Sequence, residues 1–468
     1  MISRLPLSLF LLFSAALMQA QKIDRTKPPD TPPLPVYKLP PVFETRLPNG
    51  LLLVLVQDNR FPLVTVRLDF QAGSKFDPAD LPGLSENVGA LLKEGTTTRS
   101  SRQIAEELAS IGGSLNVSSS RDTLIIGANA LSENTSRLLD LVADVARNAT
   151  FPSDEVELRK QNRKQSLLLQ RSRADFQGEL KFNEIVYGPH PYSRISPTPE
   201  SIDKIDAAKL TAFRDQFLVP NNAVLIVLGQ LPQRDKVMDL VRQKFGEWRQ
   251  KPLPAPPKAE FPESRRTLVL VDRPGSVQAD IRVGRLAVTR TSPEYFPMVL
   301  ANAILGTGTS SRLFNDIREK RGYAYDAHSV LDAQKDAGVF EAVTQVRNEV
   351  IEPAVEAMLS NLEVMSKTPV GDSELRDFKN FLSGFFVMRL ESQNGLATQL
   401  ALVKSMGLPN DYLETYTTRI RSVEPDQILS AAKKYISPEQ AAIVVVGDAQ
   451  KIAPALEKIG KFEVTKVQ

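Results

Sequence analysis

Cysteine is absent from the 468 residues, and histidine occurs only twice, at positions 190 and 328. The first absence excludes disulfide scaffolds, cysteine zinc sites, thiol nucleophiles and cysteine-borne lipid anchors; the second scarcity leaves little for a histidine metal centre. A large charge of one sign is also missing. The 58 Lys and Arg stand against 55 Asp and Glu, and a net +3 gives no reason to expect nucleic acid as the main partner. The apolar run Leu5–Leu17 falls short of the ~20 residues that cross a bilayer, and no later run reaches that length. With Arg4 before it and the small Ala20 after it, the run has the pattern of a secretory signal. Export to the periplasm, with no stable membrane anchor after cleavage, is therefore expected. No Gly-x-Ser-x-Gly elbow occurs and neither histidine has the local context of a triad base, so serine hydrolysis is unsupported.

What is present reads as globular protein, 42% hydrophobic and 24% charged. Residues 1–20 form the expected signal peptide and 21–41 a proline-rich tether, with prolines at 28, 29, 32, 33, 35, 40 and 41 that fix φ and remove donors. A second proline cluster, Lys251-Pro-Leu-Pro-Ala-Pro-Pro257, marks a linker over 251–265 between an N-terminal domain, 42–250, and a C-terminal domain, 266–468. The two domains resemble each other. Each opens on an apolar strand (Leu51–Val56; Leu268–Val271) and continues into an alternating stretch (Val64–Phe70; Ala279–Arg285). Each also closes on a turn, an apolar strand and a glycine (Val219–Gly229; Ile436–Gly447). The fold class expected is α+β, a tandem duplication of two homologous units.

Ser100 to Gln103 has the spacing of a capping box, which predicts a helix through Ile111 stopped at Gly112 and Gly113. Leu138, Leu139, Leu141, Val142 and Val145 mark the apolar face of another helix. Strands such as Asp122–Ala128 lack a regular βαβ rhythm, so mostly antiparallel sheets with helices packed on one face are expected. The loop Leu305–Arg312 lacks the Lys-Ser/Thr ending of a P-loop and the third glycine of a dinucleotide fingerprint, and reads as a tight turn between helices. Arg159–Arg173 carries six cations and no acid; it reads as a solvated helix whose Leu167, Leu168 and Leu169 reach the core.

These segments add up to a family resemblance. Pro82-Gly-Leu-Ser-Glu-Asn-Val-Gly-Ala-Leu-Leu-Lys-Glu-Gly-Thr96 is similar to the zinc-site helix of the pitrilysin-type (M16) metallopeptidases, Gly-Leu-Ala-His-x-x-Glu-His-x-x-x-x-Gly-Thr. Tyr187-Gly-Pro-His-Pro-Tyr-Ser-Arg194, Val219-Pro-Asn-Asn222, Leu305–Phe314 and Ile317–Tyr325 resemble further blocks of that family, in order, from about Phe43 to Val464. The resemblance implies that each unit is half of an M16, or LuxS-like, clamshell.

The family's decisive residues are the ones replaced. In His-x-x-Glu-His two imidazoles bind the metal and the glutamate deprotonates its water. Here Glu86, Gly89 and Ala90 hold those places. Glycine and alanine offer neither a lone pair nor a base. The third ligand of the family should fall between Leu158 and Ala174, a stretch without an acid, where Gln165 or Ser166 is the nearest match. His190 and His328 are expected to be satisfied structural residues. No catalytic residue, metal or cofactor is therefore expected in this chain, and no peptide cleavage by it alone.

The resemblance also implies a substrate-binding arginine and tyrosine seven positions apart in the second domain, which match Arg318 and Tyr325. Tyr323 replaces a usual leucine, so which ring faces the cavity stays open. The function implied is the non-zinc subunit of an exported heterodimeric peptidase. A sister M16 subunit would carry the zinc, and peptides or unfolded polypeptide would be the substrate. The alternative is a non-catalytic scaffold or peptide-binding protein of M16 fold.

Overall fold

The computed structural model describes residues 37–258 and 260–467; the expected signal peptide and residues 21–36 of the proline tether lie outside the described residues. The apolar runs bounded by glycine, proline and asparagine turns become strands. In the N-terminal half these are β1 (Val42–Arg46), β2 (Leu52–Gln57), β3 (Leu63–Phe70), β4 (Ser114–Ser119), β5 (Leu124–Leu131) and β6 (Ala223–Gly229), in the sheet order β1-β2-β6-β3-β5-β4. The C-terminal half has β7 (Thr267–Asp272), β8 (Gln278–Ala287), β9 (Ala324–Ala333), β10 (Gly338–Arg347), β11 (Ala442–Gly447) and β12 (Glu463–Lys466), in the order β12-β7-β11-β8-β10-β9. Five strands correspond one for one, which is the duplication read from the sequence. The sixth differs: β1 pairs antiparallel with β2, whereas β12 comes from the opposite end of the chain and pairs parallel with β7. Both sheets are mixed and mostly antiparallel.

The helices of the first half are α1 (Leu84–Leu91), α2 (Ser101–Ser110), α3 (Thr135–Asn148), α4 (Ser153–Arg171), α5 (Ala174–Tyr187), α6 (Pro199–Lys204), α7 (Ala207–Phe217) and α8 (Arg234–Phe245). Those of the second are α9 (Tyr295–Gly306), α10 (Ile351–Lys367), α11 (Asp372–Glu391), α12 (Gln393–Met406), α13 (Tyr412–Arg421), α14 (Pro425–Tyr435) and α15 (Ala449–Leu456), with a π-helical turn at Phe314–Lys320. The capping box at Ser100 and Gln103 is formed at the start of α2, and the apolar face read in α3 is fully buried.

Helices cover both faces of the central strands, a correction to the expectation of one covered face. The second face is covered by a helix from the other half. α5 lies across β8 and β11, while α12 lies across β3 and β6. The reason is in the strands themselves: β11 is buried at every position and β6 at all but one, so neither face can be left in water. Alternation divides the first sheet accordingly. Leu53, Leu55, Leu225 and Val227 join the N-terminal core, and Val54, Val56, Ile226 and Leu228 join the C-terminal one.

The crossing of α5 over β8 needs a glycine. A Cβ at Gly178 would stand 2.3 Å from Asp280 Oδ1 and 2.8 Å from Arg282 Nε. Gly178→Ala is expected to lower stability by about 1–3 kcal/mol in urea unfolding; an unchanged midpoint would show that the helix rides higher on the sheet.

Two corrections concern single side chains. Of the three leucines expected to reach the core from α4, Leu167 is buried, but Leu168 and Leu169 are exposed, because an α-helix turns consecutive residues about 100° apart. His190 is the buried structural histidine expected: its Nδ1 accepts from the Tyr192 N–H at 3.2 Å, and burial holds its pKa below the usual imidazole range. His328 is not such a residue, since it is partly exposed and faces a cleft.

Candidate functional site

α1 starts where Gly83 takes φ 93°, a left-handed conformation that also brings it against Pro197. The N–H groups of Gly83 and Ser85 each donate to the Asp77 carboxylate at 2.8 Å, and burial pushes that carboxyl up to about 6. So anchored, α1 buries Val88 and Gly89 and leaves Glu86 and Ala90, one turn apart, half-buried. Gly89 lies against the apolar Val117 and Leu124 side chains.

Glu86 is held by α4. Arg159 Nη2 donates to Glu86 Oε1 at 2.8 Å, and Arg163 Nε lies 3.0 Å from the same oxygen. The grip is fixed from both sides, because Arg159 also donates to Asn87 and Arg163 to Gln170. Gln165 and Ser166 are exposed. The helix on which the family resemblance would place a third metal ligand offers two cations instead. A divalent metal does not fit this donor set: one carboxylate is already neutralised by two guanidiniums, and Gly89 and Ala90 have no ligand atom. Among the described residues no three His, Asp or Glu side chains are grouped so as to hold a metal ion.

Restoring the motif alone is expected to fail for the same reason. The triple variant Glu86→His, Gly89→Glu, Ala90→His, with Arg159 and Arg163 in place, is expected to retain no stoichiometric zinc after dialysis. One bound equivalent would show that the guanidiniums swing aside.

Beside α1 lies a cavity of about 340 Å³ walled by Glu86, Ser119, Ser120, Arg121, Glu179 and Arg194, among others. It shares Arg121 and Glu179 with a larger one, of about 890 Å³, between α5 and the outer strands of the second sheet. Arg121 joins the two halves of the wall, donating to Asn183 at 2.7 Å and pairing with Asp332. Deeper in the larger cavity Arg282 donates to Asp280 at 2.8 Å, Glu341 at 2.9 Å and the Asp175 carbonyl at 2.9 Å. Burial pushes Asp280 up to about 6 and raises Glu341 as well.

Tyr325 stands in the wall of this larger cavity, 85% exposed. A bulge puts it there. Thr344 pairs with Ala327 and Val346 with Ala324, so Tyr325 and Asp326 together oppose Gln345, and both turn outward instead of alternating. Tyr323, by contrast, packs partly buried against the C-terminal core with the Arg321 guanidinium over its ring. Arg318 sits on the π-helical turn packed on β9, its guanidinium 4.7 Å above the Phe314 ring and its Nε 3.6 Å from Glu319. It does not line the cavity in this conformation. The structure thus brings Tyr325 to the cleft and leaves Arg318 on the π-helical turn, against Phe314 and outside the cavity's lining.

Sequence reasoning missed two features. One is the arginine grip on Glu86, which joins residues 73 and 77 positions apart and leaves no local signal. The other is a pair on β9, His328 Nδ1 and Asp326 Oδ2 at 2.6 Å. There a signal existed, since residues two apart on a strand share a face.

Residues 53–181 match the family described as Insulinase (Peptidase family M16), and residues 204–382 match the one described as Peptidase M16 inactive domain. An uncharacterized zinc protease of Bacillus subtilis is 22% identical over 399 residues, 85% of this chain and 96% of that protein. Another, of Mycobacterium leprae, is 25% identical over 408 residues, 86% of this chain and 91% of that protein. The crystal structure of a peptidase M16 inactive domain from Pseudomonas fluorescens superposes with a TM-score of 0.81 at 26% identity, covering 87% of this chain and 98% of that one. A protease from Helicobacter pylori shares the fold with a TM-score of 0.80 at 20% identity, over 87% of this chain and all of that one. Both halves of the sequence and the duplicated architecture agree, and the chain belongs to the M16 peptidase family.

Proposed function

We propose that this chain is the non-zinc subunit of a two-chain M16 peptidase. A sister subunit would contribute the metal, and this one would contribute Tyr325, Arg318 and part of the wall that grips polypeptide. The observation that carries the reading is the occupation of the motif position by Glu86 locked to Arg159 and Arg163, which replaces a metal cradle with a closed ion cluster. An exposed phenol at a large cleft favours retention of the substrate-binding half of the equipment. A phenol donates to negative charge as a tetrahedral intermediate forms, and a guanidinium holds a carbonyl or carboxylate through a planar fork. Neither group needs a metal in its own chain. Export to the periplasm remains part of this proposal. Copurification from native source tests it: a similar-length partner carrying His-x-x-Glu-His and one zinc per heterodimer is the expected result. Recovery of this chain alone, still able to bind peptide, would favour the scaffold or peptide-binding reading.

A further inference from the structure

The Asp326–His328 pair lies in the same cleft wall as Tyr325 and has no part in the function proposed so far. An ionised carboxylate only accepts hydrogen bonds, so the ring nitrogen 2.6 Å from Asp326 carries the proton. In the neutral ring this leaves the lone pair on Nε2. The charged groups that line the cleft with the ring are Asp326 on its own strand, Glu341 on β10, Asp280 and Arg282 on β8, Asp175 and Glu179 on α5, and Arg121 with its partner Asp332. Arg282 and Arg121 are engaged with carboxylates and with the Asp175 carbonyl and Asn183. The two cations of the wall are thus engaged, and the imidazole Nε2 adds an acceptor to the cleft.

His328 follows Tyr325 by three residues, which is ~10 Å along a strand, too far to touch the same peptide unit. We propose that His328, its tautomer fixed by Asp326, is a substrate-binding residue whose Nε2 accepts an N–H of the bound polypeptide about three residues from the unit held at Tyr325, and that protonation of the ring weakens the hold. The inference rests on the reading of this cleft as a polypeptide site. The imidazolium has no lone pair left to accept with.

Anisotropy of a fluorescein-labelled, unstructured 20-residue peptide, titrated with the full chain from pH 8 to pH 5, tests it. Protonation of Asp280 and Glu341 contributes a background common to all variants. Beyond that background, the wild-type Kd is expected to rise about 3- to 10-fold towards pH 5, the value of one hydrogen bond. His328→Ala is expected to bind more weakly at pH 8 by a similar factor and to lose the step. His328→Gln keeps an acceptor, so it should retain the pH 8 affinity yet also lose the step. A His328→Gln profile that reproduces the wild-type step, or a His328→Ala affinity equal to wild type at pH 8, overturns the assignment while leaving the cleft a peptide site. Failure of the wild-type chain to bind peptide at any pH instead overturns the reading of the cleft, and this inference with it.

Discussion

Mixed with a zinc-bearing M16 partner, the chain is expected to give peptide hydrolysis that neither subunit shows alone, and Tyr325→Phe is expected to lower kcat about 10²–10³-fold. The substitution keeps the ring and removes only the donor, so an effect of that size would mean that the hydroxyl meets charge developing in the transition state. Tyr325 makes this a clean experiment, because a side chain 85% exposed has no packing to lose. Arg318→Ala is expected to act as well, with a larger share in KM, since a guanidinium that holds a ground-state carbonyl binds substrate and transition state alike. In the isolated chain Arg318 rests on Phe314, and a cation–π contact at an exposed site is worth only about 0.5–1 kcal/mol. A charge-assisted hydrogen bond to substrate, at about 1.5–3 kcal/mol, outweighs it. The guanidinium can therefore leave the ring for the cleft at little cost. Equal turnover by wild type and both variants would remove the chain from the chemistry. A stable complex without hydrolysis would make it a scaffold.

Lys75→Met is expected to lower stability by about 3–5 kcal/mol, seen as a lower urea midpoint with an unchanged m-value. Lys75 is 3% exposed, and its ammonium lies 2.7 Å from Asp122 and 3.1 Å from Asp336. The Tyr192 hydroxyl donates to Asp122 at 2.6 Å, and the Lys335 N–H to the other oxygen at 3.2 Å. Lys75 and Asp122 belong to the first half, and Lys335 and Asp336 to the turn between β9 and β10. The cluster thus rivets one half to the other at the edge of the cleft. Methionine keeps the volume and removes the charge, leaving the buried Asp122 carboxylate beside the partly exposed Asp336 with one donor too few. The double variant Lys75→Met, Asp122→Asn should recover part of the loss, because a neutral amide is cheaper to bury than an unpaired carboxylate. A loss below about 1 kcal/mol would show that the carboxylates reach water and that the rivet is a surface pair.

The sequence by itself determined the strands, their alternation, the duplication and the family, because each is written in local periodicity and in ordered short motifs. Glycine and alanine at positions 89 and 90 also mean that α1 lacks two of the three side chains of His-x-x-Glu-His, since neither residue carries a ligand atom or a base on its side chain. Only the tertiary structure decided what took the metal's place. The Arg159 and Arg163 grip joins residues far apart in the chain, and a stretch of six cations reads as a solvated face until its acidic partners are seen. The same holds for the exchange of α5 and α12 between halves, since a strand buried on both faces records that it is covered but not by which helix. Spacing from Arg318 singled out Tyr325, but the sequence left open whether its ring or that of Tyr323 faces the cleft. A single bulge opposite Gln345 turned Tyr325 into the cleft, while Tyr323 packs partly buried against the core, because the pleat alternates until an inserted residue resets it.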